Sequence, residues 1–78
     1  MNMKQFIPAF RRLGWVYSAD SMGEYFRRGN RCISAMHVGP TFTCYVNDLL
    51  GGTRRLVASM PNLITPAQAA QWMMTYAR

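Results

Sequence analysis

Apolar positions near the start of the chain recur at Met3, Phe6, Phe10 and Leu13, spacings that lay one stripe along an amphipathic helix over Met3 to Leu13. Gly14 follows and suits the left-handed stop of a helix. Pro8 interrupts the stripe, so either the regular helix starts close to it or the first turn is irregular. From Trp15 the pattern changes. Trp15 to Ser18 is aromatic and β-branched and predicts a short strand, with a polar turn over Ala19 to Gly23. Glu24 to Arg28 and Arg31 to Val38 predict two strands around a Gly29-Asn30 turn. Thr41 to Asn47 predicts the next strand, reached through Gly39-Pro40. Arg54 to Met60 predicts another, after a loop holding Gly51-Gly52, and Pro61 ends it. The last helix is marked by Thr65 as cap, Pro66 at the first helical position and Gln68 three residues after the cap, with Ala69, Trp72, Met73 and Tyr76 on one face. The expected fold is α+β in a single domain over 1–78: an N-terminal helix, an antiparallel sheet of four or five strands and a C-terminal helix, both helices on one sheet face.

Turn length then sets which residues share a face. A two-residue Gly29-Asn30 turn pairs Phe26 with Ile33 and Tyr25 with Ser34. An even-length Gly39-Pro40 loop pairs Ile33 with Val46, Ala35 with Cys44 and His37 with Phe42, which puts Phe26, Ile33, Ala35, His37, Phe42, Cys44 and Val46 on the core side. Tyr25, Arg27, Cys32, Ser34, Met36, Thr43, Tyr45 and Asn47 then fall on the opposite face. An odd-length loop would swap the faces of Thr41 to Asn47, and proline is awkward at the second position of a tight turn.

The chain has 78 residues, half of them apolar and ten of them Phe, Trp or Tyr, enough for one core and no more. No apolar run approaches the roughly 20 residues of a membrane span. Cys32 and Cys44 point to opposite faces on this register, which disfavours a disulfide. With no secretory leader pattern, a cytoplasmic setting in a bacterial host is expected.

Nine Lys and Arg residues against Asp20, Glu24 and Asp48 give a formal charge of +6, a field that attracts polyanions. Eight of the nine are arginine, whose planar fork suits phosphate and carboxylate. The doublets Arg27-Arg28 and Arg54-Arg55 each divide between the two faces of a strand. Arg28 and Arg31 flank a turn at the sheet end and form a basic rim with Arg55 or Arg54. Tyr25, Arg27, Arg28, Arg31, Tyr45, Arg54 and Arg55 are therefore the candidate binding residues for a partner or nucleic acid, with tyrosine available to stack and arginine to contact phosphate.

Catalytic chemistry is sparse. His37 is the sole histidine and is expected in the core, and none of the three carboxylates pairs with it on the expected register. Two thiols and one imidazole do not fill a structural zinc site, and no phosphate loop or nucleophile elbow occurs. No catalytic residue, metal or cofactor is expected.

The order of helix, Gly14-Trp15 opening a strand, successive antiparallel strands and a capped terminal helix resembles the double-stranded-RNA-binding arrangement. The stretch Arg11 to Tyr17 is similar to the corresponding part of the small HicA-type toxin ribonucleases. Those toxins carry a catalytic histidine after a glycine in the second strand, whereas Gly23 here is followed by Glu24-Tyr25-Phe26, so nuclease activity is not carried over. In size, compact α/β architecture and lopsided charge the chain also resembles small phage and mobile-element inhibitors of bacterial defence, the anti-CRISPR proteins. That resemblance implies steric blocking of a protein or nucleoprotein defence complex through an acidic or nucleic-acid surface, without a membrane and with a homodimer left open. The alternatives are a free nucleic-acid-binding module and a minimal HicA-like ribonuclease.

Overall fold

Pro8 decides where the first helix becomes regular. In the computed structural model, which describes residues 3–78, a 3-10 turn at Met3–Phe6 leads into α1 (Ile7–Arg12), with Pro8 in its first turn where a missing N–H costs no helical bond. Gly14, at φ 89°, then turns the chain into the sheet.

Five strands follow in order, β1 (Val16–Asp20), β2 (Gly23–Arg28), β3 (Arg31–Val38), β4 (Thr41–Leu50) and β5 (Thr53–Leu63), all antiparallel to their neighbours, before α2 (Pro66–Ala77). The expected pairings hold on β2, β3 and β4: Phe26 faces Ile33, Ile33 faces Val46, and Ala35 faces Cys44. Proline does not lengthen the Gly39-Pro40 turn. Gly39 takes φ 62° at the first turn position, which leaves the second at the negative φ that a proline ring enforces.

Three turns and strand ends differ from expectation. The polar turn after β1 shrinks to Ser21-Met22, because the Asp20 carboxylate accepts from the Met22 N–H at 2.7 Å and closes it locally. The Gly51-Gly52 loop is itself a two-residue hairpin turn, with φ 56° and 83°, so β4 runs to Leu50 and β5 starts at Thr53. Pro61 does not end β5, which continues to Leu63. As an edge strand it loses no ladder bond on its outer side, and Asn62 at φ 65° absorbs the irregularity.

The core lies between one sheet face and the helices. Phe26, Ile33, Ala35, Phe42, Cys44 and Val46 from the sheet pack with Phe10 of α1, Met3, Trp15 and Ala69, Ala70, Met73 and Ala77 of α2. The rings of Phe10 and Phe26 stack with centroids 4.0 Å apart. α1 contacts β1, and α2 lies over β3, β4 and β5. The buried face of α2 differs from expectation: Ala69 and Met73 are buried, but Trp72 and Tyr76 are only half-buried, their rings tilted against each other at the flank with centroids 4.8 Å apart. Burial also recruits Ala70 and Ala77, whose small side chains let the helix approach the sheet. The Thr65 capping box forms, with the Gln68 N–H donating to the threonine hydroxyl and the Gln68 side chain accepting from the Thr65 N–H. Trp15 ties the two ends of the chain together, its indole N–H donating to the Ala77 carbonyl at 2.8 Å.

Candidate functional site

Alternation along the strands leaves the second sheet face without helical cover. Tyr25, Ser34 and Tyr45 form one cross-strand row on it, and Arg27, Cys32, Asn47 and Leu56 form the next. Ser34 is small and only 8 % exposed, so the two flanking tyrosines stand above it as walls above a floor. The result is a depression of about 530 Å³ lined by Met22, Tyr25, Met36, Tyr45, Arg54 and Leu56 with Ser34 and Asn47. Leu56 is 56 % exposed and Met22 62 % exposed at its rim, a cost in water that a docked surface would remove.

A bulge in β5 decides which arginine of the last doublet joins this face. Val46 pairs with Ala58 but Asn47 pairs with Leu56, so Val57 is the extra residue. The one-residue shift sends Arg54 to the open face with Asn47 and Leu56, and places Arg55 opposite Asp48 on the helix side. Sequence reasoning left Arg54 and Arg55 interchangeable because nothing in the residues marks the bulge.

The open-face charges are arranged around two groups. Tyr25 donates its hydroxyl to the Asp20 carboxylate at 2.5 Å, which holds Asp20 below its ordinary value and pushes the phenol up. Burial raises the Cys32 thiol, and Arg54 and Arg27 beside it act in the opposite direction. Cys32 and Cys44 are both free thiols.

Of the seven candidate residues, Tyr25, Arg27, Tyr45 and Arg54 thus share the open face. Arg28, Arg31 and Arg55 do not. They belong to a cross-strand row on the helix side, Arg28 beside Arg31, Arg31 opposite Asp48 and Asp48 opposite Arg55. Arg31 grips Asp48 with two bonds, Nε to Oδ1 at 2.8 Å and Nη2 to Oδ2 at 3.1 Å, which holds the carboxyl of Asp48 below its usual range.

His37 is exposed rather than buried. It shares the core side of the sheet, as expected, but sits at the end of β3 beyond the helical cover, its ring 4.1 Å from that of Phe42. There it shares a second depression of about 330 Å³ with Glu24, Lys4 and Tyr17. Glu24 pairs with Ala35 across the ladder, and His37 is the next residue along β3 on that face, so the two line the same depression, with the Glu24 carboxylate bonded to Tyr17. Tyr17 donates to Glu24 Oε1 at 2.7 Å, and burial first, then that bond, pushes the phenol up to about 12.

Among the described residues no group of three or more His, Cys, Asp or Glu is placed to hold a metal ion, and no helix is long and apolar enough to cross a membrane. No family model, curated protein or solved structure matches the chain.

Proposed function

We propose that this chain is a non-enzymatic binding protein that docks through its open sheet face on a protein or nucleoprotein complex, as a steric inhibitor of bacterial defence of the anti-CRISPR kind. The observation that carries the docking reading is the depression around Ser34. It joins Tyr25, Met36, Tyr45 and Leu56, all on strands, with Met22 from the β1–β2 turn and Arg54 at its edge. Aromatic, Met and Arg side chains are the types enriched where protein surfaces meet, and strands position them without an ordering cost at the moment of binding. Arg27 and Arg54 add a positive margin, so the complementary surface is apolar at its centre and acidic at its edge. The inhibitor reading adds to this the small size, the charge of +6 and the anti-CRISPR resemblance.

Phage plating tests the proposal. Bacterial hosts that each carry one defined CRISPR–Cas system and a matching spacer are challenged with and without the chain. The proposal expects plating to be restored in at least one system and lost again with Leu56→Asp. Plating that stays suppressed in every system would remove the inhibitor reading.

A further inference from the structure

Charge is divided along the strands rather than spread over the surface. Arg28 closes β2, Arg31 opens β3, and Arg55 lies near the start of β5, all at one end of the sheet. The same end receives the C-terminus of α1, because Arg28 Nη1 donates to the Leu13 carbonyl at 2.8 Å, and this brings in Arg11 and Arg12. Asp20 and Glu24 lie at the other end, where β1 turns into β2.

A plain structural reading is that these arginines compensate the negative ends of the helices. Magnitudes decide against it as a full account. Two helix C-termini contribute about half a negative charge each, and Asp48 one more, against the five cations Arg11, Arg12, Arg28, Arg31 and Arg55. About three positive charges are left over on the helix side of this sheet end.

We infer that this end is a binding site for the phosphate backbone of duplex nucleic acid, formed by Arg12, Arg31 and Arg55 and separate from the open face. Arg31 is held in its fork by Asp48, so its orientation is set before a ligand arrives. Neighbouring strands are about 4.8 Å apart, which puts Arg31 and Arg55, two strands from each other, about 10 Å apart along a straight row. Backbone contact is favoured over base contact because Trp15, the ring packed among these arginines, is 2 % exposed and covered by Arg28, so it has no face on which to stack a base. A duplex is favoured over a single strand because it presents the denser phosphate charge.

Fluorescence anisotropy of labelled 20-base-pair DNA and RNA duplexes and a 20-nucleotide single strand, at 50 and 200 mM salt, tests this. Three phosphate contacts give a slope of about 2.7 in log affinity against log salt, so duplex affinity should fall ~40-fold over that range. The two duplexes should bind alike and the single strand more weakly. Arg12→Glu with Arg55→Glu should weaken duplex binding at least tenfold, while Arg27→Glu with Arg54→Glu, the same charge change on the open face, should weaken it less than threefold. Equal loss in the two double variants would show a response to net charge alone and overturn the site, as would tighter binding of the single strand or no binding at 50 mM salt. Each variant is checked by its melting temperature. The plating assay with Leu56→Asp reads the open face separately, so either surface can fail without the other.

Discussion

Arg28 lies across the indole of Trp15, its guanidinium carbon 4.6 Å from the ring centroid, while its Nη1 bonds the Leu13 carbonyl. The guanidinium thus closes the core at the point where α1 hands the chain to β1. A residue that reads in the sequence as ligand-binding is partly structural, and its substitution reports on the fold.

Arg28→Ala should therefore lower stability by about 1–2 kcal/mol, the sum of a cation–π contact and one hydrogen bond. In a domain of this size that is a fall in Tm of roughly 4–16 °C. Calorimetry checks it, and Arg28→Lys, which keeps charge but not the planar stack, should recover only part of the loss.

The open face should behave in the opposite way. Tyr45→Ala combined with Arg27→Ala removes one wall of the depression and part of its positive margin, leaving the core packed around Val46 and Phe26 intact. Partner binding should weaken at least tenfold while stability changes by less than about 1 kcal/mol in thermal unfolding. A large stability loss would mean that Tyr45 supports the fold rather than the partner.

How much of this was legible in the sequence differs by element. The register of β2 on β3 was, because Gly29-Asn30 is a short turn and the strand period then dictates every pair from Glu24 to Ala35, whereas that of β4 was legible only on the condition of an even-length Gly39-Pro40 turn, which the residues themselves leave open. The capping box was, because its signals are local. The placement of Arg55 was not, since it depends on the bulge at Val57, a tertiary feature of an edge strand. His37 was misplaced for a related reason: alternation assigns a face but not how far along that face a helix reaches. The Arg28 contact needed the spatial position of the α1 C-terminus, which no periodicity supplies.

His37→Ala should leave Tm almost unchanged, because the ring is exposed and makes only a tilted contact with Phe42. If the chain is a binder, incubation of the parent with RNA should also produce no cleavage. Cleavage by the parent that disappears in His37→Ala would make the Glu24–His37 depression an active site and the binding account wrong.

Alkaline pH should destabilise the fold. Tyr17 is raised from 10.0 to about 12 and Cys44 from 9.0 to about 12, both chiefly by burial. The native state then holds protons that the unfolded state releases, so their contribution is complete below about pH 9 and is lost as pH rises toward 12. Tm measured across this range should fall, and Tyr17→Phe should flatten the upper part of the decline. On the acid side, Asp20 and Asp48 are lowered below 3.8 by their hydrogen bonds, so their contribution is present above that value and lost as pH falls through the native values.

Which face meets the partner is the question on which the account rests, and site-specific photo-crosslinking in the bacterial hosts of the plating assay answers it most directly. Benzoyl-phenylalanine is placed at Met36 on the open face or at Gln71 on the exposed side of α2. The account predicts a discrete adduct from position 36, lost with Leu56→Asp, and none from position 71. An adduct from position 71 alone would place the partner on the helices and contradict it.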